Sequence, residues 1–289
     1  MGDDIGLAEA AIAIEYLEFM RGCVARQHEW SFRALRHALA AGRPRESAQA
    51  AADIVGSAVV GPLPFDRFTA VAEERLFPFD EPISGSAGHA LMVIGSLAAG
   101  DEAGFLEHER RWRDVLGRHG LSWLGATHAL VMANVEISVG KPDAAERRLR
   151  EARDVLVTLG DIWWVSTLDS SLCAAIGAQD QSQEFLRLAD ALDASALVPD
   201  RQVLIRRDLL RSRARLLRGS AADAEIAAKR GLELVESTDL VPDHADALLT
   251  LADALDARGL GEEAATARRE AVSRLRAKGN LAAVARLGG

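Results

Sequence analysis

The 289-residue sequence predicts an all-α chain, built as an α-solenoid of about seven helical hairpins, and three observations lead there. First, alanine and leucine dominate, aromatic residues make up only 5%, and Tyr16 is the single tyrosine, which is helix-forming rather than sheet-forming composition. Second, no sustained period-2 alternation bounded by hairpin turns occurs anywhere. Third, tight breaks fall near Cys23, Gly61, Gly100, Gly140, Gln179, Gly219 and Gly259, at a stride of 38 to 40 residues. A fixed stride in that range marks an array of helical hairpins, each unable to bury its apolar face alone.

The hairpins are placed at 4–41, 44–77, 83–119, 121–159, 161–193, 200–237 and 241–277, with a cap stub at 280–287, all within one helical-repeat domain spanning 1–289. The first helix of each runs to the break, and the second follows it. All eight prolines (Pro44, Pro62, Pro64, Pro78, Pro82, Pro142, Pro199, Pro242) fall between apolar-periodic segments or in a first turn. There the missing N–H costs nothing. "GPLPF" and "FPFDEP" crowd the second hairpin, which is the least regular. Small residues recur at one spacing in two hairpins: Ala133, Gly140, Ala145 and Ala152, then Ala252, Gly259, Ala264 and Ala271. They let paired helices cross closely, and the glycine permits a left-handed turn.

That spacing resembles the tetratricopeptide repeat, best in "LADALDARGLGEEAATARREAV" and next in "MANVEISVGKPDAAERRLREAR". The early bulky aromatic of the family is missing from both, and the stride is longer. Together with "LVTLGDIWWVSTL", these segments look like the C-terminal helical-repeat domain of actinobacterial signalling proteins of ATPase/cyclase or transcriptional type. The resemblance implies a right-handed, tetratricopeptide-like superhelix. It also implies a regulatory module that serves an ATPase or effector domain of the same parent chain. The "MGDD" start and "RLGG" end suggest an excised domain, with a natural short protein as the alternative.

Chemistry is hard to find. There is no G-x-x-x-x-G-K-[ST] and no strand-borne G-x-G-x-x-G. The seven histidines form no H-E-x-x-H, so no metal site and no cofactor are expected. No carboxylate pair stands out by an apolar setting, and Ser171 and Cys173 have no identifiable base. The expectation is a protein that is not an enzyme. A net charge of −9 argues against direct contact with nucleic acid. The longest apolar run, 87–100, is too short to span a bilayer, so no membrane partner is expected. Cys23 and Cys173, far apart, read as free thiols in a cytoplasmic protein.

The inner helices of such an array line a concave face. On it the sequence projects Leu17, Met20, Val55, Ile94, Leu130, Asn134, Arg206, Arg213, Asp246 and Asp253, passing from apolar to charged. The expected occupant is a peptide or protein segment. The alternatives are a small-molecule sensor, which needs an enclosed pocket with converging polar groups, and a self-associating scaffold, a homodimer through terminal hairpins. The same residues would instead be core if the array curls tightly. Arg206 and Arg213 stand at the repeat positions of Asp246 and Asp253, which suggests inter-repeat ion pairs, while Arg207, Arg211 and Arg215 form a stripe without obvious partners. Trp163 and Trp164, about 100° apart on one helix, should not both face one surface. Trp30, Trp112 and Trp123 are expected between helices.

Overall fold

The computed structural model describes residues 3–179, 181–194 and 200–288. Among them every regular element is helical and no strand occurs. Pro199 lies outside the described residues.

The helices run α1 (Asp4–Arg21), α2 (Val24–Ala40), α3 (Pro44–Val60), α4 (Phe68–Val71), α5 (Pro82–Ala99), α6 (Glu102–His119), α7 (Ser122–Ser138) and α8 (Pro142–Thr158). They continue as α9 (Ile162–Gly177), α10 (Ser182–Ala194), α11 (Arg201–Leu217), α12 (Ala221–Glu236), α13 (Val241–Ala257), α14 (Gly261–Lys278) and α15 (Leu281–Arg286). Pro44, Pro82, Pro142 and Pro242 each sit in a first helical turn. Gly140 and Gly259 end α7 and α13 with φ of 85° and 77°, a conformation that Cβ-bearing residues resist. The six alanines flanking them are buried, which lets α8 and α14 lie close on α7 and α13.

One stretch breaks the rhythm. After α3 the chain forms a 3-10 turn (Phe65–Arg67), α4, a π turn (Ala72–Leu76) and a second 3-10 turn (Phe77–Phe79). Prolines on both sides prevent a long helix, and Phe65, Phe68 and Leu76 fix the segment by burial.

Consecutive helices pack in chain order, and the odd-numbered helices also touch one another: α3 on α5, α5 on α7, α7 on α9, α9 on α11, α11 on α13. The row returns on itself. α3 meets α7 as well as α5, α13 meets α3, and α15 meets α5. Three polar clasps hold this return. Lys278 Nζ donates to the carbonyls of Ala58 (2.7 Å), Gly61 (2.6 Å) and Leu63 (2.6 Å). Asp239 accepts from the backbone N–H of Val24 (2.6 Å) and Ala25 (2.9 Å), capping α2 in place of a local side chain. Asn280 Nδ2 and Arg286 Nε reach Ser138, at its Oγ (2.9 Å) and carbonyl (3.1 Å). Among the described residues no helix is long and apolar enough to cross a membrane.

Candidate functional site

The returning row borders a partly open cavity of about 940 Å³. Its wall comes from α1, α2, α3, α7, α9 and α11 and the turns that start α9 and α11, so it joins distant parts of the chain. The apolar share of the wall includes Ile12, Phe19, Val60, Leu130 and Val131.

One side of the cavity is aromatic. Tyr16 and Trp163 lie with ring centroids 6.2 Å apart, and Trp123 meets Trp164 edge-on at 6.2 Å. Trp123 Nε1 donates to Asp161 Oδ2 at 2.7 Å, and Asp161 also caps α9 by accepting from the Trp164 N–H at 3.2 Å. The cap thus fixes the start of α9, where both tandem tryptophans stand. Trp163 and Trp164 both line the cavity, contrary to the expectation that the two would not face one surface. The wall is curved, so side chains 100° apart still border the same space.

A second side is acidic. Glu15 of α1 and Asp53 of α3 hydrogen-bond to each other, Ser31 donates to Glu15, and Gln49 Nε2 donates to Asp53 Oδ2 at 2.6 Å. Burial, joined by the charge of Asp53, pushes the Glu15 pKa far above the usual carboxylate range. Burial also raises Asp53, while its hydrogen bonds to Glu15 and Gln49 hold it lower than Glu15. The pair therefore keeps one proton, carried by Glu15, because two adjacent carboxylates out of water cannot both ionise. The sequence reading found no carboxylate pair in an apolar setting, and this pair corrects it. A signal was present: each is the lone acid within an apolar run, "AIAIE" and "AAADIVG".

The third side is built around Arg206. Its Nε donates to Asp243 Oδ1 at 2.9 Å and its Nη1 to Ser171 Oγ at 3.2 Å. Gln202 Nε2 takes the other Asp243 oxygen at 2.9 Å. Asp200 caps α11 by accepting from the Val203 N–H, and burial raises its pKa.

The ten projected residues scatter over three environments. Leu130, Asn134 and Arg206 line the cavity. Val55 and Ile94 are wholly buried between helices, the outcome expected of a tightly curled row. Leu17 is 52% exposed, and Met20 is half-buried. Arg213 Nη2 donates to Asp246 and, at 3.0 Å, to Thr250. Asp253 takes Arg268 of the following helix instead (3.0 Å). Inter-repeat arginine–aspartate pairs do form, but earlier along α13 than equal repeat positions suggest: Arg206 pairs with Asp243, one turn before Asp246, and Arg213 with Asp246, two turns before Asp253. Side chains on a helix lean toward its N-terminus, so a long arginine meets residues one to two turns back on its neighbour.

The arginine stripe also has contacts. Arg211 pairs with Asp208 (2.9 Å), and Arg215 Nη1 donates to the Asp223 carbonyl (2.9 Å). Arg207 borders a second cavity of about 630 Å³ between α8, α9, α10 and α11. Trp112 is buried, whereas Trp30 is half-buried beneath the Arg33 guanidinium at 4.3 Å.

Among the described residues no three His, Cys, Asp or Glu side chains gather as metal ligands do. No protein-family model matches the chain, and no curated protein matches its sequence.

Proposed function

We propose that this chain is a non-catalytic sensing module whose hairpins wind into a right-handed, tetratricopeptide-like superhelix, and that the central cavity is its ligand site. The observation that carries the reading is the convergence of aromatic rings, a protonated acid pair and an ion-paired arginine on one space of about 940 Å³. That volume suits a small organic ligand. The wall joins α1 and α3 to α9 and α11, and the clasps at Lys278 and Asp239 hold two of its helices, α3 and α2, to the C-terminal part of the chain. A ligand that bridges the wall therefore changes the angle between distant hairpins. In a bacterial regulatory protein of the resembled kind, that change passes to an ATPase or effector domain in the cytoplasm.

A peptide or protein segment is the less supported occupant. Val55 and Ile94 are enclosed by neighbouring helices, and Arg213 is held by Asp246. They present no continuous groove.

Gly56 supplies the test. It lines the cavity, and a Cβ added there meets nothing within 4 Å. Gly56→Trp should fill the space without straining α3. A small-molecule collection is screened by thermal shift against both proteins. Compounds that raise the Tm of the natural chain and leave Gly56→Trp unmoved are expected. If no compound separates the two proteins, the cavity is not the ligand site.

A further inference from the structure

Resting on the cavity as ligand site, we propose that its ligand is an organic cation: an ammonium seated against Asp53, with its apolar body between Tyr16 and Trp163. The ionisable groups of the wall point to this. Six carboxylates border the cavity against two arginines, with no lysine or histidine among the lining residues. One of the arginines, Arg206, is already neutralised by Asp243. The surplus is negative, and a cation entering it meets attraction in a region of reduced dielectric.

An acid cluster alone does not define a ligand, but two further features do. Gln27 is 6% exposed and borders the cavity, and its side-chain Oε1 has no hydrogen-bond partner among the described residues. It is an acceptor in the same wall as Asp53, and a buried acceptor without a donor is costly. An ammonium has three donors and no acceptor, which fits a site of carboxylate and amide oxygens. The second feature is aromatic. Tyr16 follows Glu15 directly in α1, and its ring is paired with Trp163. Both rings keep large exposure, 47% and 41%, and both line the cavity that the acids border. Aromatic faces carry negative quadrupoles, so they attract the same charge that Asp53 attracts.

The acid pair is suited to this task. Glu15, hydrogen-bonded to Asp53, is nearly excluded from solvent and keeps its proton. Asp53 is therefore the carboxylate that presents charge to the cavity and accepts from the ammonium, while Gln49 fixes its orientation. No bond is made or broken.

Three probes of like shape distinguish the outcomes: 2-phenylethylammonium, 2-phenylethanol and 3-phenylpropionate at millimolar concentration. Binding is read by calorimetry and by quenching of the tryptophans. The ammonium is expected to bind about tenfold more tightly than the alcohol, and the carboxylate most weakly. Asp53→Asn should remove the ammonium's advantage while leaving the alcohol's affinity unchanged. Tyr16→Leu, on a partly exposed position, should weaken the ammonium without unfolding the chain. Equal binding of all three probes, or tightest binding of the carboxylate, overturns the cation proposal and leaves the cavity reading standing. Failure of all three to bind overturns both.

Discussion

Replacing Lys278 by methionine removes the strongest clasp between the chain's two ends. The ammonium is 1% exposed, and its three donors meet three carbonyls at 2.6–2.7 Å. The rings of Phe65 and Phe68 lie 4.8 and 5.7 Å from it. Burial pushes its pKa well below the ordinary lysine value, while carbonyl oxygens on all three N–H donors favour the charged form. Ala58 and Gly61 lie at the C-terminal end of α3, where carbonyls lack helical partners. Methionine keeps most of the packing but leaves all three acceptors unpaired. At about 1–2 kcal/mol for each, offset in part by the ammonium's own desolvation, the net loss should be about 3–4 kcal/mol. That is a large share of the ~5–15 kcal/mol of a typical domain. Urea unfolding followed by circular dichroism measures it as a lower midpoint at unchanged slope. Hydrogen exchange should quicken at the C-terminal turn of α3, one turn from Asp53. A loss under about 1 kcal/mol would show that desolvation cancels the three bonds, and would refute the clasp.

Three further outcomes follow from the same geometry. Asp239→Ala should cost about 1–2 kcal/mol in urea unfolding, because two N–H groups at the start of α2 lose their acceptor; Asp239→Asn should recover part of it. His128 is fully buried, and burial pulls its pKa from 6.5 down to about 3. The unfolded chain then binds the extra proton, so stability is whole above pH 6.5 and declines as pH falls through that window, by up to about 1.4 kcal/mol per unit. His128→Gln should flatten that decline in a Tm-against-pH series, and an unchanged slope would contradict the assignment. Burial pushes the Cys173 thiol up to about 12, whereas Cys23 is half-buried. Iodoacetamide at pH 8 should label Cys23 alone in the folded protein and both thiols in urea, as read by mass spectrometry.

Much of the architecture was legible in the chain itself. Helix formers without alternation dictated an all-α structure, and Gly140 and Gly259 ended their helices where left-handed backbone was needed. Proline placement announced the broken second hairpin, since prolines on both sides of Phe65–Phe79 deny it an uninterrupted hydrogen-bond ladder. These are local effects, settled within a turn or two of helix.

The site was a different matter. Leu130, Asn134 and Arg206 line the cavity, but Val55 and Ile94, at equivalent stripe positions, are taken up in helix–helix contacts. Which of two equivalent positions faces the cavity depends on how far the row of helices curls, and curl accumulates from small angles between hairpins. Glu15 and Asp53 became a pair for the same reason: they lie on α1 and α3, and only the approach of those helices sets one carboxylate against the other. Lys278 meeting Ala58, and Asp239 capping α2, are contacts across more than 200 residues with no trace in either local segment. The chain's own pattern thus determined the helices, their breaks and their stride. The closure, the cavity and the shared proton were decided in three dimensions, because burial and proximity of charge are properties of the packed whole rather than of any stretch of sequence.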